Sequence, residues 1–210
     1  MRRWRAWLTT AVVIAGGCAG PRAAVHLSET WAAPAADYED VTAAWTRRAT
    51  IHSPVTAGYQ IIADVAATFR SPAWRSAYVK HQSHVQLLTP EAQAALLSQE
   101  KKEHADAYVF EVMLATQHSS TNDLQKDEES VWRVELMNGR GETVLASDID
   151  SDRRPREILE ELYPHLGDFH EPYIVKFPRT IEVLYPGAKT MTLTISSPRG
   201  ALRMVWKAGP

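Results

Sequence analysis

The sequence is poor in cysteine and has no excess of charge of either sign. Cys18 is the only cysteine among 210 residues, so no disulfide can form within the chain. Lysine and arginine number 23 against 25 acidic residues, and the formal net charge is −2. A nearly neutral chain lacks the basic surface that nucleic-acid binding needs, so we expect no nucleic-acid partner. We also expect no cofactor, because the sequence has no phosphate-cradling glycine-rich loop and no thiolate cluster.

Long hydrophobic runs are also missing. Residues 6–15 form an uncharged stretch after Arg2, Arg3 and Arg5. As a helix this stretch would rise only about 15 Å, half of the ~30 Å hydrocarbon core of a bilayer. Arginines, a short apolar segment and small residues in this order are typical of a secretory signal peptide, which we predict over residues 1–17.

The only cysteine directly follows these small residues. The sequence Ala15-Gly16-Gly17-Cys18 resembles the lipobox of bacterial lipoproteins. In that family the cysteine sulfur carries a diacylglycerol, the leader is cut before it and the new amine is acylated. The resemblance implies that Cys18 is lipidated and fastens the chain to a membrane, since several acyl chains anchor stably. Ala19 stands where this family often has Asp for inner-membrane retention, which implies sorting to the outer membrane.

The rest of the chain divides into a tether and one domain. Residues 18–36 are rich in Ala and Pro and have no sustained period, so we predict a lipidated cysteine followed by a flexible tether. Residues 37–210 are predicted to form a single globular domain, mainly helical with one strand over 37–104 and mainly strands over 105–210. Hydrophobic residues make up 45% of the chain, an ordinary globular content.

Helix signals are concentrated in the first half of this domain. Asp37 precedes apolar residues at helical spacing as far as Ala49, which predicts a helix that ends before Ser53-Pro54. Ser71-Pro72 and Thr89-Pro90 each place a capping residue before a proline at the first helical position, and the third helix is predicted to run to His104. A short fourth helix is predicted over residues 155–163.

Alternating apolar residues predict about seven strands. They occur over residues 59–69, 108–114, 132–136, 143–147, 173–177, 191–195 and 202–206. Short turns between neighbouring strands favour antiparallel pairing. We therefore predict an α+β fold: an antiparallel β-sandwich, with an immunoglobulin-like arrangement as one form, and three or four mostly N-terminal helices covering one end or one face.

Two groups of residues have the spacing of metal ligands. His81 and His84 lie three residues apart on a predicted helix and share one face, and His104 would complete a transition-metal site if the second and third helices pack together. Asp148, Asp150 and Asp152 alternate like the first carboxylates of a calcium loop. Arg153 and Leu159 stand where such a loop needs Gly and Glu, so ion pairs of these acids with nearby arginines are the competing interpretation.

The longest polar stretch of the strand-rich half covers residues 118–130. Its length exceeds that of a usual hairpin connection, and long loops at the end of a sandwich often bind ligands. We therefore name His118, Asn122 and Asp123 as candidate binding residues.

No catalytic motif is present, and we expect a non-enzymatic module rather than an enzyme. The segments 67–75, 122–124 and 132–134 resemble stretches of uncharacterised bacterial lipoproteins, a resemblance that implies no activity. We expect an envelope lipoprotein in the periplasm or at the cell surface that contacts an envelope protein or a glycan. A metal-dependent hydrolase using the histidines and a calcium-dependent adhesion module are the alternatives.

Overall fold

A computed structural model describes residues 25–31, 35–56, 58 and 60–209, apart from the side chains of residues 127 and 128. The helices are α1 (Tyr38–Trp45), α2 (Pro72–Val85), α3 (Pro90–Asp106) and α4 (Arg156–Leu162). The strands are β1 (Thr46–His52), β2 (Ile61–Phe69), β3 (Ala107–Thr116), β4 (Arg133–Met137), β5 (Thr143–Leu145), β6 (Asp148–Ser151), β7 (Glu171–Pro178), β8 (Thr190–Ser197) and β9 (Gly200–Lys207).

These strands form two antiparallel sheets. The first sheet has the order β1-β2-β3-β7-β6, and the second has the order β5-β4-β8-β9. The predicted α+β antiparallel sandwich is confirmed, with nine strands in the described residues instead of about seven. The third strand pairs with the second in one sheet, whereas in an immunoglobulin domain it belongs to the opposite sheet.

The sandwich interior is apolar because side chains alternate along each strand. Phe110, Val112 and Leu114 of β3 are fully buried on the side that faces the second sheet. Across the interior, the rings of Phe110 and Trp206 of β9 have centroids 5.5 Å apart. Four tryptophans, which stand on apolar stripes of the sequence, are buried in the domain: Trp45, Trp74, Trp132 and Trp206.

The helices pack on the outer face of the five-stranded sheet. The predicted starts of α2 and α3 are confirmed, since Ser71 Oγ accepts a hydrogen bond from the Trp74 amide at 3.1 Å and Thr89 Oγ1 accepts one from the Ala92 amide at 3.3 Å. Trp74 of α2 stacks on Tyr163, which follows α4, with centroids 6.0 Å apart. The result is three layers: helices, the first sheet and the second sheet.

The first helix is shorter than predicted. It ends at Trp45, and residues 46–52 form β1 instead of continuing the helix through Ala49. In the sheet Ala49 pairs with Val65 of β2, and the β-branched Thr46, Thr50 and Ile51 favour a strand. Pairing with β2 therefore overrides the helical spacing of Trp45 and Ala49.

Residues 25–31 lie on the domain, although the sequence assigns them to the flexible tether. Val25 and Leu27 are buried, and the Val25 carbonyl accepts a hydrogen bond from the Gly209 amide at 2.9 Å. The carboxylate of Glu29 pairs with both Arg179 and His104. Apolar burial and these charged contacts order this stretch against the domain.

Cys18 and the predicted signal peptide lie outside the described residues. Within the part of the chain that the structure covers, no helix combines the length and the apolar character needed to cross a bilayer.

Candidate functional site

A layer of polar side chains is buried between the helices and the first sheet. Glu111 of β3 points into this layer because its neighbours Phe110 and Val112 point into the sandwich, and it has no exposed surface. Its Oε2 atom accepts hydrogen bonds from Arg70 at 2.5 Å, from Tyr163 at 3.1 Å and from Arg154 at 3.2 Å. This carboxyl group thus joins the end of β2, β3 and the segments on both sides of α4.

The second oxygen of Glu111 has no donor partner among the described residues. This Oε1 atom is buried, but the carboxyl group of Asp152 lies within hydrogen-bonding reach of Glu111. Two carboxyl groups can form a hydrogen bond only if one is protonated. Burial raises the pKa of Glu111 to about 7. Burial also acts to raise the pKa of Asp152, but hydrogen bonds from Arg154 and Glu111 outweigh it and lower that pKa. Of the two carboxyl groups, Glu111 is therefore the one that holds a proton more readily.

A second buried charge group joins α2 to α3. Arg75 has no exposed surface, and its guanidinium pairs with Glu100 and, at 2.6 Å, with Glu103. Its Nε also donates to the Arg70 carbonyl at 2.9 Å. A buried charge must be paired in this way, so the contacts explain why these residues are inside, and we assign them a structural role.

A chain of hydroxyl groups lies beside this layer, where α1 meets β1. Thr46 Oγ1 donates to the Thr42 carbonyl at 2.7 Å, because a carbonyl can only accept. The hydroxyl proton of Thr46 is occupied by this bond. In the contact between Thr46 Oγ1 and Thr68 Oγ1, which are 2.7 Å apart, Thr68 must therefore be the donor. Nε2 of His165, 3.3 Å from Thr68 Oγ1, must in turn carry a proton and donate it. The chain fixes the Nε2–H tautomer of His165 and leaves Nδ1 as an acceptor.

His165 is held without a charge. Burial, followed by the positive charge of Arg48 and by His170, lowers the pKa of His165 to about 4. The loop that carries His165 is fastened to β2, since His170 Nε2 lies 3.2 Å from Asp64 Oδ2. The imidazole is therefore a fixed neutral group at neutral pH.

A groove of about 480 Å³ opens above these groups, within the range of small-ligand sites. Its lining comes from α1, from β1 and from the loop after α4: Glu39, Asp40, Thr42, Ala43, Thr46, Arg48, Pro164 and His165. Arg48 lies on the same face of β1 as Thr46, and Glu39 and Asp40 occupy the first turn of α1. The groove therefore combines charges of both signs with a neutral acceptor, and we take it as the candidate site.

The structure does not bring the three predicted metal-binding histidines together. The ring of His81 stacks on Tyr38 with centroids 4.5 Å apart, and His84 is exposed three residues further along α2. His104, at the other end of the antiparallel α2–α3 pair, contacts Glu29 and Arg179. Across the described residues, no three His, Cys, Asp or Glu side chains are grouped to hold a metal ion.

The three alternating aspartates are used in ion pairs. Lys176 Nζ lies 2.6 Å from Asp148 and 3.9 Å from Asp150. Asp152 is bound by the guanidinium of Arg154 and by Glu111. Their carboxylates thus face cations of the protein instead of converging on one point. The pairing with a nearby arginine that the sequence suggested holds for Asp152 and Arg154, whereas Asp148 and Asp150 pair with a lysine of β7.

The polar loop after β3 is folded on itself. It contains two short 3₁₀ turns, Ser119–Thr121 and Leu124–Glu129. Asn122 donates to the Leu114 carbonyl at 2.8 Å and accepts a hydrogen bond from Tyr173, while Asp123 is buried and accepts one from Ser130. His118 is exposed, but its carbonyl accepts hydrogen bonds from the hydroxyls of Thr116 and Thr121. These contacts position the loop, and they leave the side chain of His118 as its exposed candidate for binding.

Sequence reasoning missed both the Glu111 cluster and the groove. The signal for Glu111 was available: it is the single charged residue in the apolar run 108–114, and such a charge needs buried partners. No sequence signal links Thr46, Thr68 and His165, which are far apart along the chain. A comparison with protein-family models, with curated proteins and with solved structures finds no match.

Proposed function

We propose that this protein is a bacterial envelope lipoprotein, anchored through a lipidated Cys18. The support is the sequence pattern: three arginines, an apolar stretch too short to span a bilayer, and the small residues Ala15-Gly16-Gly17 directly before the cysteine. Several acyl chains at one cysteine suffice to hold a folded domain at a membrane. The residue after the cysteine is Ala19, which favours the outer membrane.

We further propose that the domain is a binding module rather than an enzyme. The observation that carries this is the direction of the hydrogen bonds beneath the groove. Because Nε2 of His165 donates to Thr68, this nitrogen cannot take the hydroxyl proton and activate Thr68 as a nucleophile. The same bonds hold the neutral imidazole and the threonines in fixed positions, and such preorganisation favours binding.

Fatty-acid labelling of the full chain tests the anchor. The wild-type chain, made in a bacterial host fed with an alkyne-tagged fatty acid, is expected to carry the label and to sediment with the outer membrane. Cys18→Ser is the matched control, and it should be unlabelled because its hydroxyl is not a substrate for thioether formation. Mass spectrometry that finds an unmodified thiol at Cys18 in the wild-type chain would refute the lipoprotein assignment.

A further inference from the structure

The two walls of the groove carry opposite charges that the protein leaves uncompensated. Glu39 and Asp40 project from α1, and Arg48 projects from β1. All three are exposed, and none of them forms an ion pair within 4.0 Å with another residue that the structure describes. The buried arginines Arg70 and Arg75 are, in contrast, paired with Glu111 and Glu103. The groove therefore presents charges that are free to meet a ligand.

The floor of the groove supplies a fixed acceptor between these walls. Since the hydroxyl chain consumes the Nε2 proton of His165, the Nδ1 lone pair is the part of the ring that a ligand can use. A neutral imidazole does not repel an ammonium group. It accepts a hydrogen bond from an N–H or O–H donor, which adds direction to the attraction of the acidic wall.

The charge pattern restricts the ligand. A ligand with only negative charge meets repulsion from Glu39 and Asp40, and a ligand with only positive charge meets repulsion from Arg48. A guanidinium binds a carboxylate through two parallel hydrogen bonds, and carboxylates bind an ammonium group. We propose that the groove binds a short zwitterionic peptide, with its carboxylate on Arg48 and its ammonium on Glu39 and Asp40.

The size of the groove agrees with a dipeptide. Two extended residues span about 7 Å, and a volume of about 480 Å³ accommodates such a molecule together with bound water. This inference rests on the proposed binding role and names the class of ligand for it.

Isothermal titration calorimetry of the full-length wild-type protein with dialanine tests the proposal. Dialanine is expected to give saturable heat. N-acetyl-dialanine lacks the ammonium and dialanine amide lacks the carboxylate, so each should bind about tenfold more weakly or not at all, the loss expected for one charged hydrogen-bonding contact. An absence of saturable heat, or equal affinity for the blocked peptides, overturns the proposal.

Two groove variants and one control locate the binding. Arg48→Ala should weaken dialanine binding about tenfold but should not weaken binding of dialanine amide, because the amide has no carboxylate for the guanidinium and is repelled by it. The double variant Glu39→Gln, Asp40→Asn should also weaken dialanine binding, but it should not weaken binding of N-acetyl-dialanine, which has no ammonium group for the acidic wall. Arg203→Ala, on the exposed side of β9, is the matched control and should bind like the wild type. Equal weakening by Arg203→Ala, or none by Arg48→Ala, contradicts the placement.

The outcome for the ligand is independent of the outcome for the anchor. If Cys18 is acylated but dialanine does not bind, the proposed ligand is refuted and the lipoprotein assignment is supported. If dialanine binds and Cys18 is unmodified, the envelope assignment is refuted and the proposal that the groove binds a peptide is supported. Circular dichroism melting of each variant confirms that it is folded, which we expect because the substituted side chains are exposed.

Discussion

Glu111 should make the stability of the domain fall as the pH rises through neutrality. Its carboxyl group has a pKa of about 7 in the folded protein, against an ordinary pKa of 4.5 for a glutamate in water. The folded protein therefore keeps a proton that the unfolded chain has released. The stabilisation is fully present below about pH 4.5 and is lost as the pH rises through about 7. The size of the effect is about 3 kcal/mol, at about 1.4 kcal/mol for each pKa unit.

The substitution Glu111→Gln removes this dependence with little change of shape. The amide oxygen of Gln can accept from Arg70 and Tyr163 as Oε2 does, and its NH₂ group can donate to Asp152 in place of the carboxyl proton. The free energy of unfolding, measured by urea denaturation from pH 5 to pH 8, should therefore fall with pH more steeply in the wild type than in the variant.

The difference between the two proteins isolates Glu111 from the other titrating groups. Over this range the gap in unfolding free energy should change by up to about 3 kcal/mol in favour of the variant. Glu157→Gln, on the exposed face of α4, is the matched control and should follow the wild type. Parallel pH profiles of the wild type and Glu111→Gln would show that Glu111 holds no proton at neutral pH and would refute the raised pKa of Glu111.

Two further predictions concern buried groups. His165, whose pKa is lowered to about 4, contributes stability that is present above about pH 6.5 and is lost as the pH falls towards 4. The ¹⁵N spectra of histidine-labelled protein should show the Nε2–H tautomer of His165 at pH 7. An Nδ1–H signal would contradict the direction of the hydrogen bonds from His165 to Thr68 and Thr46. Arg75→Met should lower the free energy of unfolding by about 3 kcal/mol, because Glu100 is left buried without its cation. In urea denaturation, the double variant Arg75→Met, Glu100→Leu should recover much of this loss. If it recovers none, the loss is not caused by the unpaired charge.

The polar layer gives the two faces of the first sheet different roles. Its inner face packs on the second sheet through apolar side chains, while its outer face holds Glu111 and Thr68 against the helices. Arg70, Arg154 and Tyr163 converge on one carboxyl group, and this fixes the end of α4. Tyr163 lies two residues before His165, so the same network sets the position of the groove floor.

The elements whose signals are local were predictable. Ser71-Pro72 and Thr89-Pro90 fixed the starts of α2 and α3, since a capping side chain and a proline act within one turn. Strands with strict alternation, such as β8 and β9, are also predictable because alternation reflects burial of one face. In contrast, the sequence predicts a helix where β1 lies, because the strand character of β1 depends on pairing with β2, which lies beyond a turn.

The candidate sites named from the sequence show the same limit. Spacing along a helix or strand predicts which side chains share a face, but it does not predict which charged side chains of other segments pack against that face. Lys176 of β7 meets Asp148 and Asp150 of β6, and Glu29 meets His104. Each of these partners comes from a distant segment, so these ion pairs could not be derived from the motif itself.

By itself, the sequence determined the α+β sandwich, the starts of α2 and α3 and the lipobox-like pattern at Cys18, because each depends on neighbouring residues or on simple periodicity. Only the tertiary structure decided that burial beside Asp152 raises the pKa of Glu111 and that Thr46, Thr68 and His165 lie under one groove. The physical reason is that proton positions and pKa values depend on burial and on partners within a few ångströms, and these partners are set by packing between segments that are remote in the chain.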